Sequence, residues 1–92
     1  MNITLHRRAE IAFRLLDTKE QKQLSKAFEK LITANEDFVK TKLHKLPTKS
    51  TTSLYSYRGN NKLRLIVSMN DNTWVVEDII DHDRLKQLPI MH

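Results

Sequence analysis

Apolar residues recur along the chain first with a helical period and then with the period of strands. A short start, Asn2-Ile3-Thr4-Leu5, fits an edge strand, and Ala9, Ala12, Phe13 and Leu16 behind it fall at helix spacing. Thr18-Lys19-Glu20-Gln21 reads as a capping box, in which the Thr18 hydroxyl takes a free amide and Gln21 reaches back. The helix that follows carries Leu24, Ala27, Phe28, Leu31, Ile32, Phe38 and Val39 on one broad face, with Lys19, Lys22, Lys26, Glu29 and Lys30 on the other. An amphipathic helix of this kind has to cover an apolar surface, and with the first helix it makes an αα-hairpin. Lys42 to Ser53 reads as a connector, because Pro47 and the Ser/Thr-rich stretch after it exclude a continuing helix.

Three strand patterns follow, Leu54–Arg58, Lys62–Met69 and Thr73–Ile80, separated by Gly59-Asn60-Asn61 and Asn70-Asp71-Asn72. Asparagine tolerates the positive φ angles of tight hairpins. This order predicts an α+β fold: an N-terminal strand and an αα-hairpin packed on one face of an antiparallel sheet with a three-stranded C-terminal meander. The other sheet face stays open. No repeat, linker or low-complexity tract divides the chain, so residues 1–92 read as a single domain.

Strand register decides what the open face presents. Leu63, Leu65, Val67 and Met69 alternate with Lys62, Arg64, Ile66 and Ser68, and the first set is assigned to the helices together with Leu54. That assignment centres the turn between Asn60 and Asn61, with Tyr57 opposite Arg64 and Tyr55 opposite Ile66. Tyr55, Tyr57, Lys62 and Arg64 would then share the open face, where tyrosines stack on bases and cations hold phosphates. The last strand leaves two registers open. Either Trp74, Val76 and Ile80 or Val75 and Ile79 point inward, and each choice buries one acid, Asp78 or Glu77.

Charge sharpens this picture. The net charge is +5, and a strongly basic domain suits nucleic acid or an acidic partner. From Phe38 through Asn70 there are seven basic residues, Lys40, Lys42, Lys45, Lys49, Arg58, Lys62 and Arg64, and no Asp or Glu interrupts them. Cysteine is absent, which removes disulfides and thiolate metal sites and fits a cytoplasmic setting. No apolar run approaches the roughly 18 residues of a membrane helix. The basic His6-Arg7-Arg8 has no apolar segment behind it, so no signal peptide is expected.

Four blocks now form an ordered set: Lys42-Leu43-His44-Lys45-Leu46-Pro47, Leu54-Tyr55-Ser56-Tyr57-Arg58, Leu63-Arg64-Leu65-Ile66-Val67, and Val75-Val76 running to Asp81-His82-Asp83-Arg84. Together they resemble the second half of the RelE/ParE superfamily of toxins from type II toxin–antitoxin systems. The element order matches that family over nearly the whole chain. The resemblance implies a toxin neutralised by a cognate acidic antitoxin. In the RelE branch the toxin enters the ribosome and cleaves mRNA, inhibiting translation; in the ParE branch it inhibits DNA gyrase without chemistry.

On the RelE reading, Arg64 falls at the family's phosphate-binding strand arginine and His82 at a general acid or base position. Tyr55 and Tyr57 would stack on a base or assist proton transfer. Lys40, Lys42, Lys45, Lys49, Arg58, Lys62 and Arg84 would hold RNA phosphates. The chemistry implied is attack of the RNA's own 2′-hydroxyl on the adjacent phosphate, so no metal and no other cofactor is expected. Asp81, His82 and Asp83 look like metal ligands on paper, but they crowd one short stretch. The set departs from the family in three ways: tyrosines at 55 and 57 where some members carry lysine, Asp83 where arginine often follows the histidine, and no tyrosine near the C-terminus. The acid-free basic stretch favours RNA. A ParE-like gyrase inhibitor and a relative that only binds its antitoxin stay open as alternatives.

Overall fold

A computed structural model describes residues 2–48 and 51–87. The α+β expectation holds. Strand β1 (Asn2–Leu5) leads into helices α1 (Arg7–Arg14), α2 (Thr18–Ile32) and α3 (Glu36–Lys42). Strands β2 (Leu43–Leu46), β3 (Leu54–Arg58), β4 (Leu63–Asn70) and β5 (Thr73–Asp81) follow, and a short helix α4 (His82–Gln87) closes the described chain. The five strands form one sheet in the order β1-β5-β4-β3-β2, with β1 parallel to β5 and every other pair antiparallel. Among the described residues no helix is long and apolar enough to cross a membrane.

The helical part differs from the sequence expectation at three points. The cap of α2 is Asp17 rather than Thr18: its carboxylate accepts from the Glu20 amide at 2.8 Å, and Glu20 reaches back to the Asp17 amide. A carboxylate one residue earlier outcompetes the hydroxyl because it also complements the positive helix end. Gln21 instead donates to the Phe13 carbonyl at 3.1 Å and ties α1 to α2. The long helix breaks after Ile32, and Asn35 caps a separate α3 by accepting from the Phe38 amide at 2.9 Å. A third of the expected connector is a strand: β2 runs along the edge of the sheet, pairing Leu43 with Tyr57 and Leu46 with Leu54.

The core lies between the helices and one sheet face. Ala9 of α1 and Leu24, Ala27 and Leu31 of α2 are buried against Leu43, Leu63, Leu65, Val67, Trp74, Val76 and Ile79. Each fully buried leucine contributes about 2 kcal/mol by leaving water. Phe13 and Phe28 stack at 5.7 Å between α1 and α2. Met69, assigned to this face, lies opposite Trp74 beside the β4–β5 turn and stays 37% exposed.

The tyrosines are on the other side of the sheet from the one expected. Tyr57 pairs with Leu65 and Tyr55 with Val67, while Arg58 lies opposite Arg64. Tyr57 is therefore buried against the Phe38 ring of α3, 5.5 Å away, and Tyr55 meets Trp74 edge-on at 6.4 Å. Leu54, assigned to the helices, faces away from them. The cause is the turn. Asn60 Oδ1 accepts from the amides of Lys62 and Leu63 at 2.9 and 2.6 Å, and Gly59 and Asn60 both donate to the Leu63 carbonyl. This closure centres the loop on Asn61 and shifts the register by one residue, which exchanges the faces of every β3 side chain. A Cβ at Gly59 would lie 3.0 Å from Leu24 Cδ1 and would press that side chain aside.

The β5 ambiguity has a third answer. A bulge puts Ile66 opposite Asp78 but Val67 opposite Val76, so Glu77 is an extra residue. Trp74 and Val76 face the helices before the bulge and Ile79 after it, and neither acid enters the core. The β4–β5 turn has φ of 47° at Asp71 and 53° at Asn72, the two left-handed residues of a type I′ hairpin. Asn72→Gly should relieve the left-handed cost and stabilise the fold by about 0.5 kcal/mol. Asn72→Val should do the opposite. Urea midpoints of the two variants check both signs.

Candidate nucleic-acid interface

One end of the sheet gathers residues that are far apart in sequence. Helix α3 ends at Lys42, β3 ends at Arg58, β4 begins beside Lys62 and Arg64, and β5 ends where His82 opens α4. Antiparallel connection brings these termini together. Arg58 and Arg64 face each other across the β3–β4 ladder on the sheet face away from the helices. Like charges directly opposite one another destabilise a strand pair, so this pair is poised for an anion.

Both guanidiniums are held by the turn. Arg64 Nη1 donates to the Asn60 and Leu63 carbonyls at 2.8 and 3.1 Å, and Arg58 Nη2 donates to Asn61 Oδ1. Partial burial, and then the neighbouring Arg58 charge, lower the Arg64 pKa from its ordinary value; an arginine remains cationic at physiological pH. Among the described residues neither arginine is paired with a carboxylate, and the ion pair present is Arg14–Glu10 on α1.

His82 is anchored beside this turn, its amide donating to the Lys62 carbonyl at 2.7 Å. Its Nδ1 is shielded from solvent without a hydrogen-bond partner, and the residue as a whole is half-buried. Lys40, Lys42, Lys45, Lys62 and Arg84 are all exposed. Lys49 and the C-terminal stretch from 88 onward lie outside the described residues. The structure thus brings Arg58, Lys62, Arg64 and the backbone of His82 together. It puts Tyr55 and Tyr57 on the other face of the sheet from Arg64. Among the described residues no three His, Asp or Glu side chains converge as metal ligands.

Sequence reasoning missed two contributions. On the helix side of the turn a cleft of 370 Å³ is lined by Gln23, Lys26, Lys30, Tyr57, Arg58 and Asn60. Asn60 Nδ2 donates to Gln23 Oε1 at 2.9 Å, so α2 is tied to the turn and its lysines join the same basic end. The lysine spacing on α2 was visible, but which loop it met was not. On the opposite face, the side chains of Glu77 and Asp78 share one side of the sheet only because of the bulge.

No family model matches the sequence, and no curated protein matches it. The fold does have a counterpart among solved structures. A chain of the archaeal RelE–RelB complex from Pyrococcus horikoshii superposes with a TM-score of 0.69 at 17% identity, covering 90% of this chain and 96% of that one. The class of the protein is therefore a RelE-like α+β fold.

Burial pushes the Tyr57 hydroxyl above its ordinary pKa. In the unfolded chain a tyrosine ionises near pH 10, while the folded chain keeps its proton longer. The stabilisation is complete below about pH 10 and is lost as pH rises through the folded value. Tyr57→Phe should therefore lessen the fall in urea midpoint between about pH 9 and about pH 11. An unchanged alkaline fall in the variant would show that Tyr57 is not the residue responsible.

Proposed function

We propose that this chain is the toxin of a bacterial toxin–antitoxin pair and acts as a ribosome-dependent mRNA endoribonuclease. The observation that carries the reading is the Arg58–Arg64 pair: two like charges held opposite each other, with no carboxylate partner, at the basic end of a RelE-like sheet. A scissile phosphate bridging the two guanidiniums would relieve their repulsion and gain charge-assisted hydrogen bonds. The RNA 2′-oxygen would attack that phosphorus, forming a 2′,3′-cyclic phosphate while the bond to the 5′-oxygen breaks. A base takes the 2′-hydroxyl proton and an acid protonates the leaving 5′-oxygen. His82, through Nε2, is the candidate for one of these transfers. Arg64 and Arg58 would stabilise the extra charge on the pentacoordinate phosphorus.

In this reading Tyr55 and Tyr57 take no catalytic part, since both lie on the sheet face away from Arg64, Tyr57 against Phe38 and Tyr55 against Trp74. The exposed Lys40, Lys42, Lys45, Lys62 and Arg84 would contact ribosomal RNA phosphates, together with Lys26 and Lys30 of α2. The solved relative is a RelE–RelB complex, and by analogy an acidic antitoxin would bind this basic surface.

Arg64→Ala should cut mRNA cleavage on purified ribosomes about a hundredfold or more while leaving the urea midpoint nearly unchanged. A folded Arg64→Ala protein with full activity would sink the assignment. Inhibition of gyrase supercoiling without mRNA cleavage would replace the reading with a ParE-like one. Rim charges mainly govern encounter. Reversing Lys40, Lys42 and Lys45 to Glu should thus slow association with the antitoxin at low salt, with little change in dissociation. Equal association rates in a stopped-flow series would remove the electrostatic part of this reading.

A further inference from the structure

The open sheet face holds a second feature next to the arginine pair. A slot of 240 Å³ has an aliphatic floor formed by Leu46, Leu54, Ile66 and Ile80, with Arg8, Glu77 and Asp78 on its wall. Its position relative to Arg64 follows from the ladder. Ile80 lies directly opposite Arg64, and Ile66 is two residues farther along the same strand and face, a step of about 7 Å. That is close to the separation between the phosphate and the base of one nucleotide.

The polar groups of the wall are only half used. Glu77 Oε2 accepts from Ser68 Oγ at 2.7 Å, and Asp78 Oδ1 accepts from the Ile79 amide at 2.9 Å. Glu77 Oε1 and Asp78 Oδ2 make no hydrogen bond or ion pair within the described residues. Arg8 spends its Nε on the Glu77 carbonyl at 3.0 Å and forms no salt bridge with either carboxylate. The slot therefore offers free acceptors and guanidinium donors beside an apolar lining, in which Ile66 and Ile80 are buried and Leu46 and Leu54 half-buried.

We infer that this slot binds a guanine base of the RNA whose phosphate lies on Arg64, with Glu77 and Asp78 as the specificity-determining residues; the inference rests on the ribonuclease reading above. Guanine presents two kinds of group at once. Its N1–H and N2–H₂ donate, which suits carboxylates, and its O6 and N7 accept, which suits arginine. Uracil would offer the same carboxylates a single N3–H flanked by two carbonyl oxygens, which they repel. The aliphatic floor sandwiches a base by dispersion and exclusion of water. An acidic antitoxin segment is the other conceivable occupant. It would bring carboxylates against Glu77 and Asp78, so charge favours the base.

The test uses the intact chain with guanosine 3′-monophosphate and uridine 3′-monophosphate as probes, followed by the methyl NMR signals of Leu46, Leu54, Ile66 and Ile80. The guanine nucleotide should shift these methyls and bind about tenfold more tightly than the uracil nucleotide. The Glu77→Gln, Asp78→Asn double variant preserves both internal hydrogen bonds and should erase that difference. Equal binding of the two nucleotides, or a preference that survives in the double variant, overturns the inference. So does a slot whose methyls respond to an acidic leucine-rich peptide but not to the guanine nucleotide. Cleavage on ribosomes is read separately. Guanine-selective binding without cleavage would leave the slot standing and remove the nuclease reading.

Discussion

Everything on the open face depends on how one asparagine closes the β3–β4 hairpin. The Asn60 side chain accepts two successive amides, from Lys62 and Leu63, and so adds a residue to the loop that a two-residue turn would not contain. From that closure follow the pairing of Arg58 with Arg64 and the burial of Tyr57 under α3. The placement of Ser56 and Leu54 on the far face follows as well. The same asparagine uses its amide nitrogen to hold Gln23 of α2, so helix, turn and arginine pair are fastened at one point. A tight turn with a different centre would invert the sheet's two surfaces while leaving its hydrogen-bond ladder intact.

The bulge in β5 plays the matching part on the other side of the sheet centre. A strand nine residues long with apolar residues at 74, 76, 79 and 80 cannot satisfy a strict alternation. Inserting Glu77 resets the phase, and the core keeps Trp74, Val76 and Ile79 while Ile80 moves to the open face. The insertion also frees an edge beyond the end of β1, and Arg8 fills it by donating to the Glu77 carbonyl. One irregularity thus keeps both acids out of the core, where a strict alternation would bury one, and supplies the open face with its negative groups. The indole Nε1 of Trp74 remains buried without an acceptor, a cost the surrounding apolar packing offsets.

These two devices also explain what could be read from the chain in advance. The α+β class, the three meander strands and the inward set Leu63, Leu65 and Val67 were legible because each rests on local periodicity. The I′ turn at Asp71-Asn72 was legible because asparagine and aspartate announce it. The basic end was visible as a run of lysines and arginines without acids, and Arg64 was correctly placed away from the helices. What failed was register. A turn one residue longer costs no pattern in the sequence, yet it exchanges the faces of Tyr55, Tyr57 and Leu54. Strand β2 escaped because four residues before a proline carry too weak an alternation to separate them from a loop. The neighbourhood of Glu77, Asp78 and Ile80 could not be read at all, since a bulge is decided by the partner strand.

The parallel pairing of β1 with β5 carries a consequence for how the molecule assembles. The sheet order sets β5 between β1 and β4, so the first strand made has no neighbour until the last strand emerges. Helices α1 and α2 can collapse early on their own local contacts, but Ile3 and Leu5 wait some seventy residues for Trp74 and Val76. Closing so long a loop is entropically slow. Until it closes, the central ladder has an unpaired flank that invites association between nascent chains. A partner that shields the sheet during synthesis would therefore act on yield as well as on activity.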